Sequence, residues 1–420
     1  MPSTPQQIAA ITARGNVLVA AGAGTGKTST VVARCLQLVM EENCSLGEIL
    51  MVTFTEAAAA EMRARIRESL SEKIAAEPSV ADRLAEELTL LDHAPISTLH
   101  GFCLELVRRH FHTLGLDPQF SVLDEQQSKP LLHATLDELF QRHYAGETPL
   151  SASVCDLIRN YGDGRDEKIR DLVWKIHQHS QTLPSPERWL QSQLAAFENP
   201  APENWRALFT AAVRDWAQLW LATLAPVACE HPNLTAAHAA LSELGDDFQS
   251  TATALEKITA AEAADWKRKK TQFHKPYEAF FDDARFLATF AQTDGLALAE
   301  DWNWTRQPML ALLRLAQEFT HDFSRAKREL GGIDFADQEQ FALRLLLGDD
   351  DQPTLVALAC RERFRFVFVD ECQDINAAQD AILRAVSRSA PVPGAATSSI
   401  STAHVSPTRS SSPGAAAPET

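Results

Sequence analysis

Apolar positions along the chain fall into two textures. Through residue 120, short apolar runs alternate with helical patterns. Residues 16–20 (NVLVA), 49–54 (ILMVTF) and the brief 96–98 read as buried strands. The spacing predicts helices over 28–41, 56–73, 80–92 and 101–114. Strand–helix alternation of this kind predicts an α/β fold with a parallel sheet. From about Leu123 to residue 330 apolar residues recur at i, i+3 and i+4 with few β-branched runs, which predicts helix after helix. The first texture returns at 364–370 (FRFVFVD), followed by a helix over 377–388. The helical block therefore reads as an all-helical domain inserted into the α/β domain. The expected organisation is 1–122 and 331–388 as the two parts of one domain, 123–330 as the insertion and 389–420 as a tail.

Composition narrows the class. With 420 residues, 45 % of them apolar and 23 % charged, the chain has an ordinary globular balance and room for two or three domains. No apolar run approaches the ~20 residues of a membrane span, and the opening MPSTPQQ lacks the basic and apolar regions of a secretory leader. The seven cysteines are scattered with no C-x-x-C pair, which argues against a disulfide framework or a zinc site and fits a reducing, cytoplasmic setting. The net charge is −17, and acidic residues outnumber basic ones in each part of the chain before the tail, so binding of nucleic acid through bulk charge is excluded. DNA, if bound, lies in a local groove. All eight tryptophans fall between Trp174 and Trp304, as expected for the core of the helical block. The basic cluster Lys267-Arg268-Lys269-Lys270 reads as a solvated helix face, or as a contact to duplex DNA. Arg361, Arg363 and Arg365 alternate on the run leading to Asp370 and read as edge or loop charges. The tail is dominated by Ser, Ala, Pro, Thr and Gly without periodicity, which predicts disorder.

Two segments carry chemistry. Ala21-Gly22-Ala23-Gly24-Thr25-Gly26-Lys27-Thr28 follows an apolar run and opens a helix; it has the form of a phosphate-binding loop with Ala21 in place of the first glycine. Gly24 and Gly26 let the backbone curl so that its N–H groups point at phosphate oxygens, and the helix N-terminus adds its positive dipole end. Lys27 is placed to reach the β- and γ-phosphates of ATP, and Thr28 to put a hydroxyl on Mg²⁺. The second segment is Asp370-Glu371-Cys372-Gln373-Asp374, which ends the apolar run 364–369. Carboxylates at the C-terminal end of a strand sit at the crevice where α/β sheets bind ligands. There Asp370 would hold Mg²⁺, through water, and Glu371 would activate the attacking water. Alone, this second segment reads equally well as an acidic turn.

Together the two segments resemble the N-terminal part of a superfamily 1 DNA helicase of the UvrD/Rep type. Thr4-Pro5-Gln6-Gln7 is similar to the family's Q motif, which implies adenine recognition by Gln7. Residues 52–62 (VTFTEAAAAEM) resemble motif Ia, residues 97–102 (STLHGF) resemble motif Ib, and residues 370–374 match the D-E-x-Q-D form of motif II. Asp334-Phe335-Ala336-Asp337 is a further family-like segment, and the long helical insert looks closest to the large helicase–nuclease subunits of the AddA and RecB kind. The resemblance implies a RecA-like P-loop ATPase core with catalytic Lys27, Glu371 and Gln373. It also implies 3′→5′ movement along single-stranded or tailed duplex DNA in repair or recombination, and partnership with a second helicase–nuclease subunit. DNA contacts would come from Thr53, Thr55, Thr98 and His100 as polar groups and from Phe54 as a base-stacking ring. Phe54 also reads as a core strand residue, and His100 as a cap of the following helix.

The chain departs from the family after the helix at 377–388. No G-D-x-x-Q segment and no second RecA-like domain follow, and the tail has the composition of a shifted reading frame in GC-rich DNA. The expectation is a truncated or frameshifted product, with the middle of the sheet unpaired and little helicase activity alone. A non-catalytic ATP- or DNA-binding fragment is the alternative. A P-loop kinase fits less well, because kinases lack the D-E-x-Q-D and T-F-T segments.

Overall fold

Short polar side chains set where loops and strands give way to helices. Thr4 opens α1 (Pro5–Thr12): its hydroxyl accepts the Gln7 amide at 3.2 Å while Gln7 Oε1 accepts the Thr4 amide at 2.8 Å. The helix α2 (Lys27–Glu41) starts from Gly26, and β1 (Ile49–Thr53) is followed by α3 (Glu56–Ala76), which Thr55 caps through the Ala58 amide at 3.1 Å. After α4 (Ala81–Leu90) and β2 (Ile96–Thr98), Thr98 both ends the strand and caps α5 (Leu99–Arg109), its hydroxyl accepting the Gly101 amide at 3.0 Å.

A computed structural model describes residues 4–388 other than 23, 201–202, 268 and 293–294, with no side-chain description at 203–205 and 295–298. Three features of the sequence reading lie outside the described residues: the tail 389–420, Ala23 of the loop and Arg268 of the basic cluster. Among the described residues the chain is mostly helical with two small parallel sheets. They separate into two compact units. One runs up to Ser128, takes in Gln181–Pro184 and resumes at Lys327; the other is Lys129–Ser180 with Ser185–Ala326.

Strand β3 (Ser121–Val122) precedes the helical block. The block consists of α6 (Glu125–Tyr144), α7 (Ser151–Tyr161), α8 (Glu167–Gln181), α9 (Pro186–Glu198), α10 (Glu203–Leu224), α11 (Pro232–Ser242), α12 (Phe248–Ala263), α13 (Lys270–Phe273), α14 (Glu278–Ala291) and α15 (Gly295–Glu329). The chain then returns through β4 (Gly332–Ile333), which pairs parallel with β3 as Ser121↔Gly332 and Val122↔Ile333. A Cβ at Gly332 would lie 2.6 Å from Leu123, so only glycine permits this close pairing. The remaining elements are α16 (Phe335–Leu346), opened by an Asp334–Asp337 capping box, α17 (Leu355–Arg363), β5 (Phe366–Val369) and α18 (Ala377–Val386).

The larger sheet runs β2-β1-β5, all parallel, with Thr53↔Thr98 and Val52↔Val369 in register at its C-terminal end. Strand β1 is buried on both faces, as the middle of a parallel sheet should be. Ile49 and Met51 pack with α2, α3 and α4, whereas Leu50 and Val52 pack with α5, α16, α17 and α18. The strand expected at 16–20 is not one. No strand is formed there among the described residues, and Val17, Leu18 and Val19 are 50, 47 and 46 % exposed. Apolar character alone does not make a strand; a ladder partner is required. The arginine run is also corrected. Arg361 and Arg363 end α17 rather than lining a strand, and Arg361 Nε donates to the Ala385 carbonyl at 2.8 Å, satisfying the end of α18.

The helical unit builds its own cores around Phe140, Phe319 and Phe323 and around Phe280, Phe281 and Trp266. Trp216 stacks on Phe280 and Trp302 on Phe197, so these two pack as expected, while Trp304 is exposed. Lys267, Lys269 and Lys270 are exposed. No described helix is long and apolar enough to cross a membrane. All seven cysteines are free thiols, and burial pushes Cys35 up to about 12.

Candidate functional site

The loop at 21–28 curls through two glycines in the left-handed region, Gly24 at φ 76° and Gly26 at φ 86°. Thr25 ties the curl, its hydroxyl donating to the Gly22 carbonyl at 2.7 Å. Gly26 stands at the N-cap of α2 without a side-chain cap, so the first amides of the helix stay open to an anion. Gln7 reaches the same loop: its Nε2 donates to the Thr25 carbonyl at 3.0 Å. Ala21 and Gly22 are exposed, and Thr28 is half-buried at the start of α2.

The acidic turn meets this loop. Strand β5 pairs with β1, and the Asp370 amide extends the ladder to the Val52 carbonyl at 2.9 Å. The chain then turns sharply at Glu371, a non-glycine residue at φ 52°. That turn brings the Glu371 carboxylate to Lys27 Nζ at 3.0 and 3.1 Å, across nearly the whole sequence. Gln373 Nε2 donates to Oε2 of the same carboxylate, at 2.6 Å, and to Asp374 at 3.2 Å. The hydrogen bond from Gln373, followed by that from Lys27, holds the Glu371 carboxyl below its ordinary value. Its hydrogen bond to Glu371 in turn raises Lys27, against burial. Both groups are therefore charged at neutral pH.

This donor set fits the oxygen-ligand preference of a magnesium nucleotide. Among the described residues no three His, Cys, Asp or Glu side chains cluster to hold a metal. A glycine curl, an open helix N-terminus, a lysine, a hydroxyl at Thr28 and a carboxylate at Asp370 match an ion bound mainly by phosphate and water oxygens.

The segments singled out for DNA lie at the ends of β1 and β2, which the Thr53↔Thr98 register sets side by side. Phe54 is 69 % exposed and is not a core residue. Thr53 is buried, its hydroxyl donating to the Thr55 carbonyl at 3.0 Å. Thr98 is buried, and besides capping α5 it donates to Glu56 at 2.7 Å. Thr55 caps α3. Three of the four polar groups therefore hold the strand ends in shape. His100 does not cap a helix: its Nε2 lies 3.0 Å from Glu339 Oε1, and its ring meets Phe335 edge-on at 5.2 Å.

Sequence reasoning missed Glu339. It sits on the inner side of α16 and also receives Gln379 Nε2 at 2.6 Å and Asn376 Nδ2 at 3.4 Å. The available signal was an acid inside the apolar face of a helix, five residues past Asp334.

The chain matches the family model for the UvrD/REP helicase N-terminal domain over residues 3–392. It is 34 % identical over 424 residues to an ATP-dependent helicase/nuclease subunit of Desulforamulus reducens, covering 92 % of this chain and 34 % of that protein. The corresponding subunit of Moorella thermoacetica is 35 % identical, with 92 % and 30 % covered, and that of Desulfitobacterium hafniense 32 %, with 92 % and 30 % covered. The chain spans about a third of the length of the curated relatives it matches.

Proposed function

The chain belongs to the UvrD/REP helicase family, and on that premise we propose that it is the nucleotide-binding part of an ATP-dependent DNA helicase acting in repair or recombination. The observation that carries the reading is the Lys27–Glu371 contact at 3.0 Å, which unites the glycine loop and the acidic turn in one site. In this reading the loop amides and Lys27 hold the phosphates of ATP, while Thr28 and Asp370 hold Mg²⁺. Glu371 takes the proton of the attacking water, with Gln373 orienting its carboxylate. Gln7 lies beside the loop where the adenine would be held. The domain is RecA-like, with the helical unit as its insertion.

Single-stranded or tailed duplex DNA crosses the ends of β1 and β2, stacking on Phe54. Motion is 3′→5′, in the cytoplasm, and the partner is a second helicase–nuclease subunit. The relatives are named as ATP-dependent helicase/nuclease subunits, which supports both the substrate and the partner. By itself the chain binds ATP and DNA but turns over slowly. Exposed Val17–Val19, just ahead of the loop, lack a strand partner among the described residues, which supports this. The alternative, a binding fragment without turnover, rests on the same observation.

ATP hydrolysis by the purified chain, with and without single-stranded DNA, tests the reading. A slow rate that DNA raises and that Glu371→Gln removes is expected. Hydrolysis indifferent to Glu371→Gln would overturn the site, and a rate equal to that of complete helicases would overturn the slow turnover.

A further inference from the structure

Glu339 is buried to 5 % side-chain exposure, an expensive place for a carboxylate unless other groups compensate it. Its partners come from α5, which follows the end of β2, and from α18, which follows the acidic turn. On one side is His100, in the first turn of α5, whose ring packs against Phe335, itself 51 % exposed. On the other side are Asn376 and Gln379, which form the capping box of α18: Asn376 Oδ1 accepts the Gln379 amide at 2.8 Å, and Gln379 Oε1 accepts the Asn376 amide at 3.1 Å. Ile375 alone separates this cap from Asp374, which Gln373 ties to Glu371. Contacts thus lead from Lys27 through Glu371 and Gln373 to Asp374, the backbone at Ile375 carries on to the α18 cap, and contacts resume from there to Glu339, His100 and Phe335.

Resting on the proposed ATP and DNA sites, we infer that Glu339 is a positioning residue that couples them. One oxygen, Oε1, accepts from both His100 and Gln379, so a shift of the α18 cap moves the acceptor that orients His100. Nucleotide bound at Lys27 and Glu371 pulls on Gln373 and the cap. The pair of half-buried His100 and exposed Phe335 is where single-stranded DNA reads the change.

The test measures coupling rather than activity. Anisotropy of a fluorescein-labelled oligothymidylate gives the DNA affinity of the full chain with and without Mg²⁺ and the β,γ-imido analogue of ATP. In the parent chain the two affinities should differ by about fivefold or more. In Glu339→Gln each ligand alone should bind within about twofold of the parent, while the ratio falls to about one. Gln379→Glu provides a second route should Glu339→Gln fail to fold. It keeps a capping-box residue at the same position but sets a carboxylate against Glu339, and it should also flatten the ratio. A merely structural Glu339 would change stability and leave the ratio intact; an unchanged ratio in folded variants overturns the inference. Parent chain that binds both ligands without coupling also overturns it. Failure of the parent to bind the ATP analogue at all would overturn the proposed function, and the inference with it.

Discussion

Strands β1 and β5 lie side by side in one parallel sheet and are similarly apolar, ILMVT against FVFV, yet β1 is sealed while β5 is half-exposed along its length. The difference is one of neighbours. Strand β1 has β2 on one edge and β5 on the other, with helices packed on both faces. Among the described residues β5 has a ladder partner on one edge only. Residues 17–19 take this one step further, being as apolar as either strand yet in no strand among the described residues. Burial in this sheet follows pairing rather than composition. The proposed site follows the less buried strand: Asp370 and Glu371 emerge from the end of β5, where the backbone turns toward Lys27.

The largest difference is expected on truncating two residues that face each other in the ladder, Leu50 and Val367. Leu50→Ala in β1 should cost about 2–5 kcal/mol, because the cavity lies between two packed layers. Val367→Ala in β5 should cost about 1 kcal/mol. Urea denaturation of both variants checks this, and equal losses would mean that β5 is as well supported as β1. A smaller effect is expected where β2 ends. Thr98→Ala removes the cap of α5 and the partner of Glu56, and should cost about 1 kcal/mol by the same measurement.

The smallest effect concerns Glu48, just ahead of β1. Burial opposes its ionisation, but hydrogen bonds from the Ser45 amide and Cys44 and the Arg365 charge outweigh it and lower its pKa from 4.5. A depressed carboxyl stabilises the fold fully above its unfolded value and loses that contribution as pH falls through the folded one. Stability of the parent chain should therefore drop faster than that of Glu48→Gln as pH falls below about 4.5, in parallel thermal melts.

How much of this is legible in sequence differs by level. Helices α2 and α3 and strands β1 and β2 lie close to the bounds that the sequence predicts, since period and composition are local properties. The strand predicted at 16–20 fails because a ladder partner is a non-local requirement. The start of α5 falls ahead of the predicted residue 101 because Thr98, a candidate for reaching DNA with its hydroxyl, spends that hydroxyl on capping the helix. Lys27 and Glu371 stand out in the sequence as candidates, because a glycine curl before a helix and acids after a strand have chemical meaning in themselves; the fold adds their contact at 3.0 Å. Glu339 does not stand out, since a buried acid acquires its meaning from partners that only the fold supplies.

In the proposed function the loop at 21–28 and the acidic turn at 370–374 form one magnesium-nucleotide site. Titration calorimetry of the chain with ATP, with and without Mg²⁺, tests it most directly, alongside Lys27→Ala and Asp370→Asn. The account predicts one ATP per chain, loss of about tenfold or more in affinity in Lys27→Ala, and loss of the Mg²⁺ dependence in Asp370→Asn. Affinity that survives Lys27→Ala, or a Mg²⁺ dependence indifferent to Asp370, would contradict it.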